Sequence, residues 1–230
     1  MTPDRYLPAA RAGEATGAVV VVDVLRAFTT AAYALAAGAR RIWLVDSVEA
    51  ALALKAERPG TLAMGEDHGR RITGFDFANS PAEVAGADLA GRDLVQRTSA
   101  GTRGVVAARA AQRRWCASLV CASATAAAVT ASGLGAPAYV ITGQRSETLR
   151  GEDDRATAEL IERVRTGRPP AATATAEAIR SSDEAARTLA LGPGHVDPRD
   201  VELATRVDLF DFAMEARVRP DGLELAATRP

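Results

Sequence analysis

Two polar segments of the chain carry most of the side chains that could do chemistry. Residues 65–81 hold three carboxylates, a histidine, two arginines and an asparagine between glycines, which is too polar for a core and too interrupted for a long helix. We therefore expect a loop held on a rigid scaffold. Residues 96–104 follow an apolar strand pattern and open a helix, where free backbone N–H groups can bind an anion. Together the two segments suggest a site for a phosphate ester and a metal ion.

The residue types that are rare in the sequence narrow the chemistry further. Lys55 is the only lysine, and the pattern places it in a helix away from the polar loops, which disfavours Schiff-base chemistry and a phosphate-binding P-loop. His68 and His195 are the only imidazoles, and neither a Gly-x-Ser-x-Gly elbow nor a His-Glu-x-x-His helix occurs. Carboxylates, hydroxyls, arginines and a hard cation remain as the catalytic groups.

The composition is that of an ordinary soluble globular protein, with 47% apolar and 25% charged residues among 230. A net charge of −1 without a block of like charges argues against nucleic acid and membrane surfaces, so we expect a small anionic phosphate ester as the partner. The first residues lack the apolar run of a signal peptide, which favours a cytoplasmic location. Cys116 and Cys121 are expected to be buried packing residues. We expect a single domain over residues 1–230, and the sequence leaves open whether it forms a homo-oligomer.

Strand-like and helix-like patterns alternate along the chain. Strands are predicted at residues 19–22, 41–45, 61–64, 93–96, 115–120 and 138–142, and helices at 25–37, 47–57, 102–111, 123–132, 151–165 and 174–190. A β-hairpin is predicted from residues 212–218 and 223–227. This alternation indicates a layered α/β protein with a mostly parallel sheet, followed by the C-terminal hairpin.

Several candidate side chains follow directly after a predicted strand. Ligands of open α/β sheets bind beyond the carboxyl ends of the strands, so these side chains are expected at one edge of the sheet. They are Asp23, Glu66, Asp67, Thr98, Ser99 and Gln144.

The charged candidates each have a functional and a structural interpretation. Asp23 would be held rigidly while facing solvent, as needed to ligate Mg²⁺ or act on a water molecule, or it could cap the next helix. Arg26 could clamp phosphate or sulfonate oxygens, or form a surface ion pair. Glu66 and Asp76 supply further hard oxygen ligands unless they belong to a solvated turn. His68 could act as a general acid, although a lone loop histidine is more often incidental.

The uncharged candidates could bind substrate or only shape the backbone. Asn79 and Ser80 precede Pro81, so they either contact substrate or form a turn before a helix. The next turn offers hydroxyls and a helix N-terminus to an anion, or is a capped helix with nothing bound. Its candidate residues are Thr98, Ser99, Gly101 and Thr102.

Six motifs occur in a recognisable order along most of the chain. They are Val-Asp-Val-Leu-Arg-Ala at 22–27, Gly-Glu at 65–66, Gly-Phe-Asp-Phe-Ala-Asn-Ser-Pro at 74–81, Arg-Thr-Ser-Ala-Gly-Thr at 97–102, Gly-Glu-Asp-Asp at 151–154 and Val-Asp-Leu-Phe-Asp-Phe-Ala-Met at 207–214. In order and approximate spacing they resemble the 2-phosphosulfolactate phosphatase family. The resemblance implies a magnesium-dependent phosphoric monoester hydrolase that converts 2-phosphosulfolactate to 3-sulfolactate, a step toward coenzyme M. It also implies a layered α/β/α fold, with Glu152 and Asp153 as metal ligands beside Asp23 and Glu66.

On this interpretation Asp23, Arg26 and Asp76 are the expected catalytic residues, and Asp76 is expected to position Arg26 or a water molecule. Arg26 and the polar residues at 79–80 and 98–102 are the expected substrate contacts. The chain has Ser-Ala-Gly-Thr at 99–102 where many family members carry Thr-Asn-Gly-Thr, so its substrate could differ. A haloacid dehalogenase-type phosphatase with Asp23 as nucleophile is disfavoured, because Leu25 stands where the second aspartate of that motif belongs. A non-catalytic anion-binding or regulatory homologue stays open, because Ala100 lacks the asparagine amide.

Overall fold

The computed structural model describes residues 5–144 and 150–229. Its strands are β1 (Tyr6–Pro8), β2 (Gly17–Val22), β3 (Arg41–Val45), β4 (Leu62–Gly65), β5 (Phe77–Ala78), β6 (Asp93–Arg97), β7 (Ala111–Ala117), β8 (Ala138–Ile141), β9 (Ala213–Arg219) and β10 (Gly222–Thr228). Its helices are α1 (Ala27–Ala36), α2 (Val48–Glu57), α3 (Pro81–Ala85), α4 (Gly101–Ala107), α5 (Ala122–Ala131), α6 (Glu152–Arg165), α7 (Ala172–Arg180), α8 (Asp183–Leu189) and α9 (Asp200–Ala204). Short 3₁₀ helices cover Ala9–Glu14 and Leu119–Cys121.

The described strands form one sheet in the order β1-β8-β2-β7-β9-β10-β3-β6-β4-β5. The first four and the last four strands in this order are parallel to their neighbours. The hairpin β9-β10 lies between these two groups and is antiparallel to both. The predicted α/β class, the mostly parallel sheet and the C-terminal hairpin are confirmed.

Apolar side chains of the sheet are buried on both faces, as the continuous valine run of β2 requires. Val19 and Val21 pack into the cluster that contains Phe28 of α1. Val20 and Val22 pack on the opposite face with residues of α5, α6 and α7. Because successive side chains of a strand alternate between faces, this division produces the predicted α/β/α layers.

Most predicted element boundaries agree with the structure, and the exceptions have local causes. Ser47 caps α2 by accepting a hydrogen bond from the N–H of Ala50. The helix predicted at 102–111 ends at Ala107, and the strand predicted at 115–120 is instead β7. The single helix predicted at 174–190 is divided into α7 and α8, because the Ser182 hydroxyl accepts from the N–H of Ala185 and starts a new helix.

Contacts between the two parallel groups bring their carboxyl ends together. The Gln96 side chain at the end of β6 donates to the carbonyl of Ala27, at the start of α1. A Cβ atom added to Gly101 would lie 2.8 Å from Oδ2 of Asp23, so the start of α4 packs directly against that carboxylate. Asp23 follows β2 and Gly101 follows β6, so these contacts create a shared pocket for loops from both groups. In the part of the chain that the structure describes, no helix is both long and apolar enough to cross a membrane.

Candidate active site

A cavity of about 230 Å³ lies beyond the carboxyl ends of β2, β4 and β6. Among the residues predicted from the sequence, the structure brings together Asp23, Arg26, Glu66, Asn79 and Ser99 in its wall. Its other lining residues are Leu25, His68, Gly69, Ala100, Glu184, Arg187, Thr188 and Leu191. Carboxylate, guanidinium and amide groups from separate segments therefore face one space.

Asp23 is buried at the floor of this cavity and is fixed by two hydrogen bonds. Its Oδ1 accepts from the N–H of Ala27 at 2.8 Å, and its Oδ2 accepts from the hydroxyl of Thr142 at 3.0 Å. Burial raises the pKa of Asp23, and repulsion from Glu66 and Glu184 adds to the increase, while the two hydrogen bonds oppose it. The Asp23 carboxylate accepts from the first N–H of α1 and also lines the cavity, so its capping role is compatible with a role as a metal ligand.

Two further carboxylates approach Asp23 from the N-terminus of α6. Both carboxylate oxygens of Asp154 accept hydrogen bonds from the protein. The donors are the N–H groups of Val24 and Gly143 and the Thr142 hydroxyl. Asp153 is also buried, but its Oδ1 has no hydrogen-bond partner among the described residues. Burial raises the pKa of Asp153, and repulsion from Glu184 and Asp23 raises it further. The pKa of Asp154 is raised by burial, by Asp153 and by Asp23.

This arrangement of carboxylates fits a divalent cation in its donor chemistry. Asp23 and Asp153 are buried, repel each other and have no compensating cation in an ion pair within residues 5–144 and 150–229. Across the same residues no group of three or more His, Cys, Asp or Glu side chains is placed to hold a metal ion. Mg²⁺ commonly binds through one or two carboxylates and completes its shell with water and substrate phosphate, so two protein ligands suffice. The unpartnered Oδ1 of Asp153 is the atom that such a cation would satisfy.

Glu66 organises the loops at the opposite wall of the cavity. Its carboxylate accepts from the N–H groups of Gly69 and Ser99 and from the Ser99 hydroxyl. The Ser99 hydroxyl also accepts from the N–H of His68, which adopts a positive φ of 49°. Glu66 therefore fixes both predicted polar loops relative to each other, and its role as a metal ligand stays a prediction.

The turn at residues 98–102 uses most of its polar groups internally. The Thr98 hydroxyl accepts from the N–H of Thr102, and the Thr102 hydroxyl accepts from the N–H of Thr98. The N–H of Ser99 donates to Glu66. Ser99 and Ala100 are the residues of this turn that line the cavity, and anion binding by the turn stays a prediction.

Arg26 is buried and is held by Asp200, a residue that sequence reasoning missed. Its guanidinium donates to Asp200 Oδ2 at 2.9 Å and to the carbonyl of His195 at 3.0 Å. Asp200 also accepts from the hydroxyl of Ser80 and from the N–H of Ala82. Ser80 in turn caps α3. Ser80 therefore supports Arg26 through Asp200, and the structure does not place it in the cavity wall.

Two predicted residues lie elsewhere. Asp76 was expected to position Arg26 or a water molecule, but its carboxylate pairs with Lys55 at 2.7 Å and accepts from the N–H of Ala63. Lys55, expected to be remote from the polar loops, thus contacts the loop at 65–81. Glu152 is exposed and lines a neighbouring pocket. Its chain neighbour Asp153 is buried, and the charge of Asp23 contributes to the raised pKa of Asp153.

Helix α8 supplies a wall of the cavity that local sequence patterns did not indicate. Glu184 and Arg187 pair with each other at 3.1 Å and line both the cavity and the neighbouring pocket. Their spacing is that of an ordinary surface pair of one helix, so only the tertiary structure assigns them to the site. Across the cavity, the Asn79 side chain is buried and its Oδ1 has no partner in the described residues, which leaves the amide available to a ligand.

Comparisons with known proteins agree with this architecture. A family model described as 2-phosphosulpholactate phosphatase matches residues 6–194. A protein of Bacillus subtilis (strain 168), named a probable 2-phosphosulfolactate phosphatase, is 34% identical over 204 residues, which cover 88% of this chain and 87% of its own length. A protein with the same name from Deinococcus radiodurans is 43% identical over 112 residues, which cover 49% of this chain and 42% of its own length. Another from Thermus thermophilus is 45% identical over 102 residues, which cover 44% of this chain and 42% of its own length.

Proposed function

The chain belongs to the 2-phosphosulfolactate phosphatase family, a family of phosphoric monoester hydrolases, and from this premise we propose that it hydrolyses 2-phosphosulfolactate with Mg²⁺ as cofactor. The products are 3-sulfolactate and inorganic phosphate. A closely related phosphorylated hydroxy acid is the alternative substrate, because Ala100 stands where many family members carry asparagine. The proposed place toward coenzyme M and the cytoplasmic location rest on the family resemblance and the sequence. Self-association stays a prediction.

The observation that carries the magnesium proposal is the charge of the cavity. Its two arginines are each paired with a carboxylate, Arg26 with Asp200 and Arg187 with Glu184, so the charges of Asp23 and Glu66 are left unbalanced. A phosphate monoester with a sulfonate and a carboxylate carries several negative charges and would be repelled by this surface. A divalent cation between the carboxylates and the phosphate removes that repulsion.

The residues of the cavity then have separate roles. Asp23 lines the cavity, whereas Asp153 is buried at the start of α6 and is not among the lining residues. These two carboxylates would hold the metal ion, which, when bound, would neutralise phosphate oxygens and lower the pKa of a water molecule. Thr142 and the N–H of Ala27 keep Asp23 oriented, and Asp154 keeps the start of α6 against β8. Arg26 is fixed by Asp200 and presents the rest of its guanidinium to substrate oxygens.

The far side of the cavity suits the organic part of the substrate. Asn79 offers an amide without a protein partner, and Arg187 offers a guanidinium whose side chain is 46% exposed. A planar guanidinium pairs well with the oxygens of a sulfonate or carboxylate. His68 lines the same space and is a candidate for protonating the leaving alkoxide.

The test is phosphate release from 2-phosphosulfolactate by the purified protein. We expect turnover with Mg²⁺, loss of turnover with EDTA and recovery when Mg²⁺ is restored. Asp23→Asn should lower kcat at least ~100-fold, because even the loss of a residue that only orients a metal ligand typically lowers metal affinity or activity by ~10–100-fold. Glu152→Gln is the matched control, because it removes a nearby exposed carboxylate.

Two outcomes would count against the proposal. Turnover that is unaffected by both EDTA and Asp23→Asn would reject the metal site. Binding of the ester without phosphate release under Mg²⁺, Mn²⁺ or Co²⁺ would identify the chain as a non-catalytic homologue.

A further inference from the structure

A second cavity lies between the tip of the C-terminal hairpin, the start of α2 and the end of α4. Its volume is about 520 Å³, and none of its lining residues belongs to the candidate active site. Apolar side chains form most of its wall. They are Leu44, Val45, Ala50, Val106, Val218 and Leu223. We call it the hairpin cavity.

A buried arginine opens into the hairpin cavity without a carboxylate partner. Arg114 of β7 is only 8% exposed, yet none of the described carboxylates forms an ion pair with it. Its hydrogen bond to the carbonyl of Val105 is 3.5 Å long, at the limit of such a bond. Burial lowers the pKa of Arg114. The adjacent Arg113, on the other face of the sheet, pairs with Glu215 at 2.8 Å.

A guanidinium without a carboxylate partner in a mostly apolar cavity lowers the stability of the folded protein. A charged group taken out of water needs a partner of opposite charge or several hydrogen bonds, and Arg114 has neither among the described residues. The other charged lining residues are Arg109, Asp46 and Arg219, of which Arg219 pairs with Glu224 at 3.3 Å, so the charges of Arg109 and Arg114 exceed that of Asp46. An anion in the cavity would supply the missing partner.

We propose that the hairpin cavity binds a small amphipathic carboxylate. The carboxylate pairs with the guanidinium of Arg114, whose planar fork suits two parallel hydrogen bonds to carboxylate oxygens. The apolar part of the ligand lies against Leu44, Val106 and Leu223. The volume accommodates a chain of several carbon atoms, as in ordinary small-molecule sites. This site is independent of the proposed phosphatase activity.

The test is isothermal titration calorimetry with octanoate as the probe, in the presence of saturating inorganic phosphate. We expect saturable binding to the wild-type protein and at least about tenfold weaker binding of octan-1-ol, which has the same chain without the charge. Arg114→Met keeps an unbranched side chain but removes the charge and the guanidinium donors, and should weaken octanoate binding by about tenfold or more. Arg113→Met is the matched control, because the neighbouring arginine lies on the opposite face and should leave the affinity unchanged.

A second variant keeps the test decisive if Arg114→Met does not fold. Ala50→Leu narrows the cavity from α2 and leaves Arg114 in place, so it should also weaken octanoate binding while circular dichroism and thermal melting stay those of the wild type. Absence of saturable octanoate binding overturns the proposal. Equal binding of octan-1-ol, unchanged affinity in Arg114→Met, or competition by phosphate overturns it as well.

Discussion

At the scale of single residues, the most informative atom is Oδ1 of Asp153, a buried carboxylate oxygen without a partner in the described residues. Most buried polar atoms in native proteins are hydrogen-bonded, so each exception calls for a specific explanation. Here the neighbouring charges are Asp23 and Glu184, which repel it. A folded protein tolerates such a group when a ligand supplies the missing charge, as at other functional sites.

We therefore predict that Asp153→Asn stabilises the metal-free protein and removes the additional stabilisation by Mg²⁺. The variant removes a repelled buried charge, so the metal-free protein should melt higher near about pH 8, by about 2–4 °C for each kcal/mol of relieved strain. The same variant should lose the increase in Tm that Mg²⁺ gives the wild type. Scanning calorimetry with EDTA or Mg²⁺ measures both. Glu152→Gln, at the exposed neighbouring position, should behave like the wild type. An unchanged Mg²⁺ response in Asp153→Asn would remove Asp153 from the metal site.

A second comparison concerns the stability of variants at Asp200, which pairs with Arg26 in the structure, and at Asp76, which was expected to position Arg26 but pairs with Lys55. Asp200→Asn leaves the buried guanidinium of Arg26 without its carboxylate, a loss of about 3–5 kcal/mol in the free energy of unfolding for a buried pair. Asp76→Asn breaks a pair with Lys55 at the protein surface, for which we expect less than about 1 kcal/mol. Urea unfolding measures both values.

Steady-state kinetics separates the same two variants by function. Asp200→Asn releases Arg26 from its fixed orientation and should raise KM and lower kcat for the phosphate ester, because positioning of a charged clamp is lost. Asp76→Asn should keep both constants near those of the wild type. A comparable loss of kcat in Asp76→Asn would restore Asp76 as a catalytic residue.

At the scale of elements, the sequence correctly predicted those strands, helix caps and turns that depend on residues close together in the chain. The buried run of β2, the Ser47 cap of α2 and the hairpin of β9 and β10 depend on residues close in the chain, and all three are present. The predicted strand begins at residue 115, whereas β7 begins at Ala111, because the charged Arg113 is not typical of a buried strand. Its charge is neutralised by Glu215 of β9, a contact across 102 residues that no local pattern contains.

The same reasoning explains which site residues could be predicted. Asp23, Glu66 and Ser99 each follow a strand, so the rule for parallel sheets identified them. Arg187 of α8 and Asp200 of α9 have no such signal, because acidic and basic residues on short helices are usually solvated. Their positions depend on how the C-terminal helices pack on the loops, which is long-range information.

Gly101 offers a prediction about how closely two elements must approach. A Cβ atom there would lie 2.7 Å from Cβ of Ala27 and 2.8 Å from Oδ2 of Asp23, so α1 and α4 would have to separate. Gly101→Ala should lower the free energy of unfolding by about 1–3 kcal/mol, as overpacked cores do. It should also lower kcat by moving Asp23. Urea unfolding and phosphate release are the measurements.

Gly86→Ala is the matched control for that variant. Gly86 ends α3 with φ of −94°, and an added Cβ would meet nothing within 4 Å. This substitution should be neutral or stabilise by about 0.4–1 kcal/mol, because alanine restricts the unfolded chain. If Gly101→Ala were equally well tolerated, close packing of α4 against Asp23 would not be required.

At the scale of the whole molecule, the distribution of charge matters more than its sum. The net charge of −1 gives no sign of an anion-binding protein. The fold nevertheless gathers Asp23, Asp153 and Asp154 from distant segments and buries them together. The resulting local field is a property of the tertiary structure, and we predict that it makes the stability of the whole protein depend on pH and on divalent cations.

That dependence has a definite sign. Burial, followed by repulsion between neighbouring carboxylates, raises the pKa values of Asp23, Asp153 and Asp154 above those of the unfolded chain. Protonation therefore favours the folded state, and this contribution is complete below an unfolded pKa of about 3.9 and is lost as pH rises through the folded values. The metal-free protein should melt at lower temperature near about pH 8 than near about pH 5.5.

Mg²⁺ should reverse this loss, because the ionised carboxylates that destabilise the metal-free protein are the ones that bind the cation. The increase in Tm with Mg²⁺ should be larger near about pH 8 than near about pH 5.5, since protons compete for the same oxygens. At a concentration of about 100 times the Kd, the stabilisation should reach about 2.7 kcal/mol. Calorimetric melts with EDTA and with Mg²⁺ at both pH values are the measurement. Equal Mg²⁺ effects at both, or none at either, would show that the buried carboxylates act without a metal ion, because proton and cation would then not compete.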